Sequence, residues 1–128
     1  MLIKLSIKDI GYISFNEPSE YDDTVFVQFL FVEEKYRGKG YGTYLLWNLF
    51  HYLRKNYKNI KQIEGDDCSD RFGLDKNKNI YKKIGCKYKY ENQPEMILLF
   101  SDKNVLQIYK KIKNLLDMKD IDITFIKY

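Results

Sequence analysis

At 128 residues the chain suits one domain, 1–128, with a single core, and is too short for two independent cores. Its 45% hydrophobic content excludes a disordered polymer, and a net charge of +4, with 22 basic residues interspersed among 18 acidic ones, makes no demand for a nucleic-acid partner. No apolar run approaches the ~18 residues that a membrane span needs. The opening MLIKLSIKDI is broken by Lys4, Lys8 and Asp9 and so lacks a signal-peptide core, and Cys68 and Cys86 have neither metal-type nor scaffold spacing. A cytoplasmic protein with reduced thiols, no metal and no membrane partner is expected.

Leu2, Ile3, Leu5 and Ile7 alternate imperfectly with polar residues, and Tyr12 to Phe15 follow after Gly11. This spacing predicts two short antiparallel strands. A turn-rich stretch, NEPSEYDD, then leads to VFVQFLFV at 25–32, whose nearly continuous apolar character predicts a central strand buried on both faces. In the segment 43–56, Leu45, Leu49 and Leu53 recur every fourth residue, with Leu46 and Phe50 widening the stripe, the pattern of a helix packed on a sheet. His51 falls off that stripe and reads as a surface residue.

Residues 59–65 predict another strand, which ends in the acidic run Asp66, Asp67. Asp75 is placed to cap a short helix ending at Gly85, and 86–90 and 95–100 read as two strands joined by ENQP. A C-terminal extension, 101–128, holds a second amphipathic helix with Val105, Ile108, Tyr109, Ile112 and Leu115 on one side, then the strand-like DITFIKY.

The segment that carries chemistry lies between the apolar strand and the leucine-striped helix. Gly38, Gly40 and Gly42 occur at alternate positions, where they permit close backbone approach and unusual torsions. Amides converging at a helix start favour a phosphate, and Arg37 and Lys39 add positive charge. A glycine-rich turn with no ligand reads equally well from the glycines alone. A Walker loop is excluded by spacing, and a dinucleotide fingerprint by Thr43 standing where its third glycine belongs.

This loop resembles the acyl-CoA loop of the GNAT superfamily, whose pattern [RQ]-x-x-G-x-[GA] is met by Arg37, Gly40 and Gly42. LFVEEKYRGKGYGTYLL is similar to that family's strand, loop and helix along its length, and NIYKKIGCKY resembles its later short helix. The likeness extends over roughly 24–100, with 1–100 as the core. It implies an α/β (α+β) fold: a mixed, mostly antiparallel sheet with helices on both faces and splayed central strands. It also implies acetyl-CoA as acyl donor and a small-molecule or lysine-type primary amine as acceptor. The backbone of Leu30, Phe31 and Val32 would pair with the pantetheine arm. Amides of Arg37, Gly38, Lys39, Gly40, Tyr41, Gly42 and Thr43 would hold the pyrophosphate. Tyr81 would meet the departing sulfur as general acid.

The chain departs from the family at three places. A lysine-type amine is only about one part in a thousand nucleophilic at neutral pH, a handicap of roughly 4 to 5 kcal/mol that a base or desolvation must offset. Some members carry a glutamate where this strand has Phe26, leaving Gln28, through a water, and Asp66 or Asp67 as candidates for the proton path. A solvated acidic turn is an equal reading of the two aspartates. The family's asparagine seven residues before the tyrosine is replaced by Leu74. Only some 23 residues precede the central strand, so the usual first strand and two helices have no room, and 101–128 is the right size to fill that gap, within the chain or by exchange in a homodimer. A non-catalytic acyl-CoA-binding module and a small nucleic-acid- or protein-binding domain remain as alternative classes.

Overall fold

The computed structural model describes residues 1–66, 86–89, 95–117 and 121–128. The expected helix at 75–84, the ENQP connection, Asp67 and Tyr81 lie outside them. Two six-residue strands, β1 (Leu2–Ile7) and β2 (Gly11–Asn16), form an antiparallel hairpin. Asp9, with φ of 64°, turns its tip. The nine-residue β3 (Thr24–Val32) pairs antiparallel with β2, and a 3-10 turn (Glu34–Tyr36) leads to the sixteen-residue α1 (Tyr41–Asn56). Then come β4 (Gln62–Asp66), the two-residue β5 (Lys87–Tyr88), β6 (Glu95–Leu99), α2 (Asp102–Leu115) and β7 (Thr124–Lys127).

The seven strands form one sheet in the order β5-β6-β4-β3-β2-β1-β7. Every described pairing is antiparallel except β3 with β4. The expected central strand is therefore β3, fourth of seven. It is not buried on both faces: Phe26 is 41% exposed and Phe29 63%, whereas Val25 is buried. Val25, Val27, Leu30 and Val32 contribute to the core under α1, and no described helix covers the opposite face. The run looked doubly buried in sequence because a bulge breaks its alternation. Ser14 pairs with Phe29 and Phe15 with Val27, so Gln28 is an extra residue with none opposite it on β2.

Leu45, Leu46, Leu49, Phe50 and Leu53 of α1 are all buried, as the stripe predicts, and meet Ile3, Leu5, Ile13 and Phe15 of the first hairpin. The second helix is capped by Ser101, whose hydroxyl accepts the Asn104 amide, and it sends Ile108 and Ile112 fully into the same core. Leu115, expected on that buried side, is 49% exposed because it ends the helix. Both described helices thus share one core. Beyond α2, β7 adds antiparallel to the outer edge of β1. The C-terminal segment fills the sheet's first position within the same chain.

A latch fixes that last strand. Glu17 accepts hydrogen bonds from Lys127 Nζ at 2.9 Å and from the Tyr57 hydroxyl at 3.0 Å. The Lys127 ammonium first, and the Tyr57 hydroxyl second, hold the Glu17 carboxyl below its usual range. A carboxyl depressed on folding contributes stability above its unfolded value and loses it as the pH falls through its folded one. Melting in acid should therefore drop less, relative to neutral pH, in Glu17→Gln than in the parent, by a small margin that salt erodes. Equal drops in the two would show that the latch contributes nothing.

Candidate acyl-CoA site

The glycine loop begins where β3 leaves the sheet. Arg37 Nε donates to the carbonyl of Val32 at 2.9 Å, and its guanidinium lies 5.9 Å from the centre of the Phe31 ring. This contact across five residues pulls the loop back onto the strand end. Lys39 Nζ lies 5.8 Å from the Tyr36 ring centre, and Tyr36 meets Tyr41 edge-on at 5.9 Å. The loop's shape is therefore set by stacked aromatic and cationic side chains.

Two glycines occupy left-handed backbone, Gly38 at φ 75° and Gly40 at φ 97°. Gly40 is the N-cap of α1 and offers no side-chain cap, and no acidic residue lies in the first turn. The first helical bond runs from the Tyr44 amide to the Gly40 carbonyl at 2.9 Å, so the amides of Tyr41, Gly42 and Thr43 precede it. Such amides, together with the positive end of a sixteen-residue helix, form a site for an anion. Gly42 and Thr43 are both buried, Thr43 with only 2% of the residue exposed. A Cβ on Gly38 would meet nothing within 4 Å, whereas one on Gly40 would come within 3.1 Å of Leu115 Cβ. The two glycines therefore serve different purposes: Gly38 allows a turn, and Gly40 also admits the end of α2.

Pairing between β3 and β4 runs from Thr24–Gln62 to Val27–Gly65 and stops there. β3 continues for five residues, Gln28 to Val32, with no described strand on that side. A cleft lies where this pairing ends, lined by Val27, Gln28 and Leu30 of β3, Leu46 of α1, Glu64, Gly65 and Asp66 of β4, and Cys86. The sequence-predicted Gln28, Leu30 and Asp66 thus come together here. Phe31 lies beyond, beneath Arg37, and Val32 gives its carbonyl to that residue. Gln28 is also engaged, since its Nε2 donates to Asn16 Oδ1 at 3.0 Å.

Sequence reading missed Glu64. Its alternation with the core residues Ile63 and Gly65 was visible, but its place beside a gap in the sheet was not. Glu64 Oε1 accepts from Lys89 Nζ and from Gln62 Nε2, each at 2.9 Å. His51, read as a surface residue, is exposed and packs edge-on against Trp47 at 4.1 Å. Partial desolvation first, and the Arg54 charge second, lower its pKa. It stands with Trp47, Arg54 and Tyr109 in a groove separate from the cleft.

A parallel pair with a cleft beside it, a glycine loop and an uncapped helix accord with the arrangement that the sequence resemblance implies. A model of the acetyltransferase (GNAT) family matches residues 8–70, which hold β2, β3, the loop, α1 and β4. Residues 8–70 belong to the GNAT acetyltransferase family. No curated protein sequence matches the chain.

Among solved structures, Tetrahymena GCN5 matches with a TM-score of 0.51 and 19% identity over 77% of this chain and 69% of that one. Ard1 from Thermoplasma volcanium matches with a TM-score of 0.52 and 19% identity over 70% of this chain and 62% of that one. AtaTR bound with AcCoA gives 0.54 and 15% over 78% and 66%. At these identities the likeness is one of fold, and the GNAT chain described here spans less than two thirds of the latter two proteins. Among its described residues, no helix is long and apolar enough to cross a membrane and no group of three or more His, Cys, Asp or Glu side chains is placed to hold a metal ion.

Proposed function

We propose that this GNAT protein transfers an acetyl group from acetyl-CoA to a primary amine by direct attack in a ternary complex. The observation that carries this reading is the juxtaposition of the part of β3 beyond Val27, unpaired on its β4 side among the described residues, the uncapped start of α1 and the cleft between β3 and β4. One extended arm can lie along Leu30–Val32 with its anionic end at the amides of 37–43, and its reactive end then falls at the cleft. AtaTR, which shares the fold, was solved with AcCoA bound.

The chain's own residues would hold the donor, orient it and exclude water. Tyr81 is the proposed general acid for the departing sulfur, and Gln28 and Asp66 are candidates along the proton path of the acceptor. Tyr81→Phe is expected to lower turnover by about a hundredfold, the usual contribution of one positioned acid, while leaving acetyl-CoA affinity within about twofold. Steady-state kinetics alongside ligand-dependent melting checks this, and unchanged turnover removes Tyr81 from the mechanism.

A second reading, binding of acyl-CoA without transfer, draws on Phe26, which leaves β3 without a carboxylate. Release of free thiol from acetyl-CoA in the presence of spermidine, an aminoglycoside and a lysine peptide distinguishes the two. Amine-dependent release supports the transferase; saturable binding with no release across the panel supports the binder.

A further inference from the structure

The cleft holds a carboxylate whose two oxygens are in different situations. Glu64 lines it from β4, and both of its hydrogen bonds, from Lys89 Nζ and Gln62 Nε2, end on Oε1. Its Oε2 has no partner among the described residues, so the group is anchored by one oxygen and presents the other as an acceptor. In the parallel register Glu64 stands opposite Phe26 on β3, so the two side chains share a face at the same level of the sheet. On that face it is flanked by Phe26 of β3 and Ile97 of β6, both apolar.

The other candidates in the cleft serve less well. Gln28 has no basic atom, and its amide is tied to Asn16. Asp66 is the last residue of β4 and is exposed. We infer that Glu64 is the catalytic residue that takes the proton from the acceptor amine, an inference that rests on the acetyl-transfer reading above.

The acceptor enters as an ammonium and gives one proton to Glu64, which later passes it to solvent. The freed nitrogen lone pair attacks the acetyl carbonyl carbon; the C–N bond forms, the C–S bond breaks, and its electron pair stays on the CoA sulfur. A second proton leaves nitrogen, and one is taken up by that sulfur, so the products are the amide, free CoA thiol and one proton. Among the described residues, the titratable groups around Glu64 are Lys89, which pairs with it, and Asp66 and Cys86, which line the same cleft.

The test is Glu64→Gln, which keeps the shape and an oxygen for Lys89 and Gln62. Thiol release is measured with acetyl-CoA and the amine panel from pH 6 to 10, alongside acetyl-CoA-dependent melting. At neutral pH kcat/KM should fall about a hundredfold, with the acetyl-CoA melting shift unchanged, and the deficit should shrink as the pH approaches that of the free amine, where a base is no longer needed. A parent that acetylates an amine while the variant matches it at every pH overturns the assignment and leaves the transferase reading standing. A constant deficit at all pH values also overturns it, since that marks a structural role. A parent that acetylates nothing in the panel overturns the transferase reading, and this inference with it.

Discussion

Removing residues 101–128 is expected to unfold the protein. That segment supplies Ile108 and Ile112, both fully buried against α1, and β7, which covers the edge of β1. Burying two such side chains is worth roughly 3 to 6 kcal/mol, comparable with the whole stability of an ordinary domain, about 5 to 15 kcal/mol. Loss of β7 additionally bares the backbone of the strand that carries Ile3, Leu5 and Ile7 into the core. A truncated chain should show no cooperative thermal transition by circular dichroism. A truncation that melted within a few degrees of the full chain would contradict this and would mean that the hairpin, β3, α1 and β4 hold themselves together.

The second large effect concerns Gly40. A valine there must adopt left-handed backbone, at about 1 to 2 kcal/mol, and its Cβ would press on Leu115, where overpacking costs about 1 to 3 kcal/mol more. Gly40→Val should therefore lose roughly 2 to 5 kcal/mol in urea unfolding, whereas Gly38→Ala, with open space around it, should lose only the backbone part. The difference between the two reports how firmly the end of α2 abuts the loop. Equal losses would show that Leu115 yields freely and that the loop is independent of the C-terminal helix.

The segment from β3 to α1 was legible because each part has its own local signal. An apolar run, three alternating glycines and a leucine stripe each have a physical meaning before any fold is known. What escaped was set by partners distant in sequence. The bulge at Gln28 depends on how β2 registers against β3, and without it Phe29 appears to be a core residue. Whether 101–128 would close the sheet in the same chain was not readable either, because the pairing of β7 with β1 spans almost the entire sequence. Glu64 sits inside the expected strand at 59–65 with no local signal of its own; its place on the cleft depends on how β4 lies against β3.

The local reading was also incomplete at Arg37. The motif marks it as a ligand contact, yet its Nε is bound to the Val32 carbonyl and its guanidinium lies over Phe31. Its charge still faces the loop region, so it can act on an anion at longer range while shaping the turn. Gly40 likewise carries a structural constraint from Leu115 in addition to the torsion that releases the α1 amides.

Whether the loop at 37–43 holds an acyl-CoA is tested most directly by the melting temperature with and without acetyl-CoA, in the parent and in Gly38→Asp. Aspartate tolerates left-handed backbone better than most residues, and no atom lies within 4 Å of the Cβ it would add, so the variant should fold while placing a negative charge in the anion site. At a hundredfold excess over the dissociation constant the parent should gain about 2.7 kcal/mol, seen as a clear upward shift, and the variant should gain little. No shift in the parent at millimolar acetyl-CoA, or an equal shift in both proteins, would contradict the assignment of this loop.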